Sequence, residues 1–312
     1  MKEVKNLPAS IKAKLYEISK QEGIDFQVIL TLYIQERLLY RLSQSKHFEK
    51  FVIKGGLLLF GIGLELGRPT RDIDFLGKAL PSDLELINSI FVDIASTVVK
   101  DDGVRFDNNS VRTEKIKEDA DYEGVRVKLD GYLEKARLTM QIDIGFGDVV
   151  VPDVVEMDFP IILDLNNPPV IKAYSLESVL AEKLEAAVKL SLANSRMKDF
   201  YDIYIISIQR EFDGTILCEA IKATFKKRGT PFDEKTIVFR DDFWQDEDLK
   251  KRWGAFIRRI NNDDIPEFRE VMKQIKIFLY PVYESLRNGK DFILRWDHQS
   301  RQWTKFDQET AP

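Results

Sequence analysis

The sequence predicts an α+β protein, in which a β-sheet region flanked by helices is followed by a mainly helical C-terminal domain. Three observations predict it. Apolar residues recur at spacings of three and four over residues 1–50 and again from Ser175 to about Leu286. Short apolar or alternating runs fill the stretch between, and Pro152, Pro160, Pro168 and Pro169 punctuate the junction. Strands flanked by helices early and helices alone later fit this class.

The elements follow in order. Ile11, Leu15 and Ile18, then Val28, Ile29, Leu32, Tyr33, Leu38, Leu39 and Leu42, give one apolar face to each of two short helices separated at Gly23. Ser43, Ser45 and His47 interrupt the pattern. The apolar run over 51–60 is itself broken by Lys54-Gly55-Gly56, a glycine pair that marks a tight turn or a place where backbone comes close to a ligand. Over 71–76 the alternation Asp72, Ile73, Asp74, Phe75 has the period of a strand, so both aspartates point the same way.

An amphipathic helix is expected over 82–100, and strands over 125–132 and 136–144 joined at 133–135. The prolines mark loops and edge strands. Ser175 opens a helix running to Leu192, and another should carry 198–208. Helices with breaks near Gly229-Thr230-Pro231 and 261–266 complete the chain. The expected domains are a helical lead-in (1–50), a core (51–165), a helical domain (170–290) and a polar tail (291–312) that forms a short hairpin or a loose end.

Composition removes several functional classes. Among 312 residues 44% are hydrophobic, so the chain folds; no apolar stretch approaches the roughly 20 residues that span a membrane. The charged start lacks the apolar centre of a secretion signal, and a cytoplasmic protein with no membrane partner is expected. Cys218 stands alone and only His47 and His298 are present, which leaves no internal disulfide, little for a structural zinc site, and little for Ser-His-Asp or Cys-His catalysis. Any chemistry falls to carboxylates and lysines. A net charge of -5 argues against coating nucleic acid through bulk charge, while 47 basic residues leave room for a local positive groove.

Phosphoryl and nucleotidyl transfer need carboxylates converging on divalent metal. Asp72 and Asp74 meet that demand from one strand face, and Asp143 in Gln-Ile-Asp-Ile-Gly is the best-placed third carboxylate. A solvated strand face accounts for the same pair. Gly55 and Gly56 suit close approach of backbone N–H groups to phosphate, or a plain turn. Lys183 in Ala-Glu-Lys-Leu is either a solvent-facing lysine flanked by glutamates or a phosphate ligand. Lys198, Asp199 and Asp202 in Arg-Met-Lys-Asp-Phe-Tyr-Asp read as a surface ion-pair ladder or as part of the same site. Arg68 and Arg71 flank the aspartate pair, placed to contact phosphate or to hold the carboxylates. Basic clusters at 226–228, 250–252 and 258–259, near Trp244 and Trp253, form either a groove for RNA or an ordinary charged surface.

Taken in order, Lys-Gly-Gly, Arg-Pro-Thr-Arg-Asp-Ile-Asp-Phe, Ile-Asp-Ile-Gly-Phe-Gly-Asp, Ala-Glu-Lys-Leu and Arg-Met-Lys-Asp-Phe-Tyr-Asp resemble the AbiEii/AbiGii toxin family of nucleotidyltransferases, a branch of the DNA polymerase β-like superfamily. The resemblance covers roughly residues 10–285. It implies a nucleotidyltransferase-type mixed β-sheet with flanking helices and a Mg²⁺-dependent transfer from a nucleoside triphosphate. It further implies the toxin half of a toxin–antitoxin or phage-defence pair, with an antitoxin partner and a transfer RNA 3′ end as acceptor. By the same resemblance Gly55 and Gly56 face phosphate, Asp72, Asp74 and Asp143 bind metal, Lys183 binds nucleotide, and Lys198, Asp199 and Asp202 form the closing charged motif. The spacer from Leu57 to Arg71 is longer than in the broader superfamily and suits the toxin-like branch. A protein or small-molecule acceptor would use the same carboxylates. A non-catalytic relative that binds nucleotide or a partner would not need them to converge.

Overall fold

The computed structural model describes residues 6–64, 70–119, 122–164, 167–260, 262 and 264–306. Arg68 and Asn261 lie outside the described residues. The chain divides into two compact units, one of Met1–Gly63, Pro69–Asp148 and Val154–Tyr174, the other of Leu64–Arg68, Val149–Asp153 and Ser175–Pro312.

The first unit opens with two helices, as the apolar spacing predicts. In α1 (Leu7–Glu22) the Asn6 side chain accepts from the Ala9 amide and Gly23, at φ 66°, closes the C-terminus in the left-handed conformation. In α2 (Phe26–Ser43) Asp25 caps the Gln27 amide. Then come β1 (Phe51–Lys54), α3 (Gly55–Gly61), β2 (Asp72–Gly77), α4 (Leu84–Ala95), β3 (Val104–Asp119), β4 (Tyr122–Leu133), β5 (Ala136–Phe146), β6 (Val155–Asp158) and β7 (Val170–Ala173).

The seven strands form one mixed sheet in the order β3-β4-β5-β2-β1-β7-β6. β2 runs parallel to β5 and antiparallel to β1, while β3, β4 and β5 are an antiparallel meander. One face carries the core: Ile53, Ile73, Phe75, Val125, Val127, Ile142 and Ile144 are each no more than 2% exposed. At roughly 1.5–3 kcal/mol for each fully buried aliphatic or aromatic side chain, that face holds the sheet together and leaves the other face free to carry charge. A buried Arg41–Asp102 pair, with nitrogen–oxygen distances of 2.7 and 3.1 Å, ties α2 to the segment entering β3.

Two expectations change here. The helix expected over 82–100 ends at Ala95. The long strand β3 has no counterpart in the sequence reading, because its register slips between Asp107 and Arg112 and its alternation is broken by polar residues.

The second unit contains α5 (Leu176–Leu190), α6 (Met197–Gln209), β8 (Phe212–Asp213), α7 (Gly214–Arg228), α8 (Asp241–Gln245), α9 (Glu247–Ile260), α10 (Phe268–Arg287), β9 (Arg295–Asp297) and β10 (Gln302–Thr304). Ser175 caps α5 by accepting from the Ser178 amide, as its position in Ser-Leu-Glu-Ser predicts. Of the polar tail, β9 and β10 form a hairpin that joins β8 in a three-stranded sheet. Trp296 in that hairpin is fully buried and its indole N–H donates to the Ser207 carbonyl at 2.7 Å. Among the described residues no helix is long and apolar enough to cross a membrane.

Candidate active site

The charged face of the first unit is organised by strand register. Residues directly opposite on paired strands project from the same side of a sheet, so a line of Cα partners is also a line of side chains. Lys54 of β1 stands opposite Asp74 of β2, Asp74 opposite Asp143 of β5, and Asp143 opposite Arg126 of β4. Four adjacent strands thus carry a row of cation, carboxylate, carboxylate, cation. Asp72, two residues before Asp74 on β2, lies on the same face and is exposed, while Ile73 and Phe75 between and after them are buried. Gln141, opposite Asp72, extends the polar face by one step.

Each member of the row has a defined environment. The Arg126 guanidinium grips Asp143 with two bonds, Nε to Oδ1 and Nη2 to Oδ2, both 2.8 Å, and the Gln141 amide adds a third at 3.2 Å. That fork holds the guanidinium above its ordinary arginine value, partial burial opposes the shift, and the charges of Asp143 and Asp72 reinforce it. Lys54 is buried and its ammonium reaches Asp148 Oδ2 at 3.2 Å.

Gly55 begins α3 with φ 69°, and a Cβ there would stand 2.0 Å from Asp74 Oδ2. The glycine is therefore required by the neighbouring carboxylate as well as by the backbone. Gly56 follows it, buried, in the first turn of α3. Arg71 is exposed, and its carbonyl accepts from the Gln35 amide at 2.8 Å.

The all-oxygen donor set of Asp72, Asp74 and Asp143 suits a hard divalent cation. Among the described residues, the side chains that bring three metal-type ligand atoms within 4.8 Å of one another are Glu211, Asp297 and His298 in the second unit. Asp72, Asp74 and Asp143 do not form such a trio, and both oxygens of Asp143 are held by Arg126.

In the second unit Lys183 is not the solvent-facing lysine of the plain helical reading. Its ammonium donates to Asp199 Oδ1 at 2.9 Å and Asp202 Oδ2 at 2.7 Å, and both carboxylates are almost completely buried. Arg196 reaches the other oxygen of Asp199 at 2.6 Å. Burial alone would raise the Asp199 carboxyl, but Lys183 and Arg196 outweigh it and hold it below its usual value. Lys198 is exposed and the Arg196 side chain is 37% exposed, so the charged heptad buries its two carboxylates and turns its two cations outward rather than forming a surface ladder.

Of the two readings of the basic clusters, the packing around them fits an ordinary charged surface. Trp244 and Trp253 are each 3% exposed, and the Trp253 N–H donates to the Pro266 carbonyl. Arg228 pairs with Glu185, while Lys250 and Lys251 pair with Glu247 and Asp248.

Arg126 escaped the sequence reading, although its signal was present. A hairpin that closes Leu133 against Ala136 pairs residues whose numbers add to the same total, which sets Arg126 opposite Asp143. Lys54 in Lys-Gly-Gly and Asp148 in Ile-Asp-Ile-Gly-Phe-Gly-Asp carry no local signal that pairs them.

The sequence profile of the family described as nucleotidyl transferase AbiEii toxin, type IV TA system, matches residues 37–274. A Helicobacter pylori protein described as a candidate nucleotidyltransferase has a similar crystal structure, with a TM-score of 0.51 and 16% identity over 86% of this chain and 100% of that one. The crystal structure of JHP933 from Helicobacter pylori gives 0.48 and 16% identity over 84% of this chain and 94% of that one. No curated protein matches the chain.

Proposed function

The chain belongs to the AbiEii family of nucleotidyltransferase toxins of type IV toxin–antitoxin systems, and we propose that Asp72, Asp74 and Asp143 form its metal-binding carboxylate set for transfer from a nucleoside triphosphate to an acceptor hydroxyl. One observation carries the proposal: Asp74 and Asp143 are direct partners on adjacent parallel strands, with Asp72 on the same face. A divalent cation bound there, which we take to be Mg²⁺, would offset the negative charge of the triphosphate. Asp72 and Asp74 orient from one strand and Asp143 from the next. Gly55 leaves room for the Asp74 carboxylate, and Gly56, Arg71 and Lys198 are proposed nucleotide contacts.

For Lys183 and Asp202 we propose the nucleotide-binding role that the family's motif implies, with Asp199 and Asp202 fixing the lysine's ammonium. In the reaction the acceptor oxygen bonds to the α-phosphorus, the bond from that phosphorus to the β-bridging oxygen breaks, and pyrophosphate leaves. We propose the transfer RNA 3′ end as acceptor and an antitoxin as the protein's partner.

Purified protein and its Asp74→Ala variant, each incubated with α-labelled nucleoside triphosphates, Mg²⁺ and total bacterial RNA, test this. Label on small RNA from the intact protein alone is the expected result. Equal labelling by Asp74→Ala would sink the carboxylate assignment. Label on protein or small molecules instead would keep the site and replace the acceptor.

A further inference from the structure

The row across β1, β2, β5 and β4 has a cation at each end, and the two cations are not alike. Lys54 is 9% exposed and paired with Asp148, itself 5% exposed. Arg126 is 30% exposed and its partner Asp143 is 14% exposed. The fork between them is therefore open to solvent on the face that carries Asp72 and Asp74. An arginine there retains its charge through any ordinary change of pH, and its five N–H donors match a phosphate as well as a carboxylate.

Both oxygens of Asp143 are occupied by that fork. A dication drawn to the same carboxylate would meet a fixed positive charge beside it, so guanidinium and metal compete for one group. A polyphosphate arriving at the site supplies the guanidinium with a second, more highly charged partner of suitable geometry.

We propose that Arg126 is a positioning residue that withholds Asp143 from metal in the nucleotide-free protein and transfers to a phosphate oxygen when a triphosphate enters, releasing the carboxylate. The inference rests on the nucleotidyl-transfer assignment of Asp72, Asp74 and Asp143. It makes assembly of the metal site depend on the presence of nucleotide, which no single strand could arrange. A merely structural arginine would instead steady Asp143 for metal, and its loss would weaken metal binding.

Mn²⁺ titration of the nucleotide-free protein, followed by electron paramagnetic resonance, separates the two. Arg126→Gln is expected to bind Mn²⁺ about tenfold tighter than the parent, because a charge-assisted fork no longer competes. The same variant should bind a non-hydrolysable triphosphate with Mn²⁺ about tenfold more weakly. Lys128→Gln removes a cation two residues away on the same strand, one that pairs with Glu114 at 3.0 Å, and should change neither value. Arg126→Lys keeps the charge without the fork and should show a smaller gain in Mn²⁺ affinity, which preserves the test should the glutamine variant fold poorly.

Unchanged or weaker Mn²⁺ binding in both Arg126 variants overturns the proposal, as does an equal gain in Lys128→Gln. Asp74→Ala, titrated with Mn²⁺ in the presence of the non-hydrolysable triphosphate, distinguishes the two levels. If it binds Mn²⁺ like the parent, the carboxylate assignment itself fails. If it loses Mn²⁺ while the Arg126 variants behave like the parent, the withholding role alone fails.

Discussion

Gly55 lies against Asp74 so closely that a Cβ on the glycine would sit 2.0 Å from one carboxylate oxygen and 2.7 Å from the carboxyl carbon. The contact joins the start of α3 to the middle of β2, and with φ 69° it gives this glycine two independent reasons to be glycine. Any side chain there must push Asp74 out of its row with Asp143, or move the strand that carries it.

Gly55→Ala is therefore expected to abolish nucleotidyl transfer and to destabilise the protein by roughly 1–3 kcal/mol in chemical denaturation. Gly23→Ala is the comparison, since Gly23 has a similar φ of 66° and nothing within 4 Å of its Cβ position. It should cost about 1 kcal/mol and leave transfer unchanged. Equal loss of activity in both variants would mean that backbone strain, rather than the clash with Asp74, governs the effect.

Asp102→Ala should destabilise by roughly 3–5 kcal/mol, because it strands Arg41 in a site where the arginine is 8% and the aspartate 2% exposed. Urea unfolding followed by circular dichroism measures it. A loss below about 1 kcal/mol would mean that the Arg37 and Val104 carbonyls, which already accept from Arg41, are sufficient partners.

Asp199 sets a pH dependence whose sign follows from its lowered carboxyl. The folded state holds this proton less tightly than the unfolded chain does, so the stability it contributes is complete above the ordinary value of 3.8 and is lost as pH falls below that through the folded value. Asp199→Asn is expected to be less stable than the parent at pH 7, and the difference should narrow as pH drops below 3.8. Thermal melts of the two proteins from pH 7 to pH 3 test this; a difference independent of pH would assign the effect to packing alone.

Trp296→Ala should destabilise by roughly 3–5 kcal/mol, since the side chain is fully buried and its N–H is paired with Ser207. Its indole packs on Phe278 with ring centroids 4.7 Å apart. Wild-type stability in this variant would mean that the hairpin is not integral to the helical unit.

Much of this protein was determined by local sequence. Period-two alternation is a property of a single strand, so Asp72 and Asp74 had to share a face once 71–76 was extended. Ser175 at the head of an apolar helical pattern had to cap it, and a hairpin closing at 133–136 had to set Arg126 against Asp143. The order of the motifs along the chain indicated the family before any coordinate did.

Tertiary structure decided the rest, because partners distant in sequence are chosen by packing that no local pattern encodes. β2 lies parallel to β5 although β3 and β4 intervene, and only that crossover puts Asp74 beside Asp143. The buried faces of α5 and α6 joined Lys183, which helical spacing left as solvent-facing or phosphate-binding, to Asp199 and Asp202, which the same spacing left as a surface ladder or part of a site. Burial also removed Trp244 and Trp253 from any RNA groove, since an aromatic residue beside lysines reads the same in sequence whether its ring packs in the core or faces water.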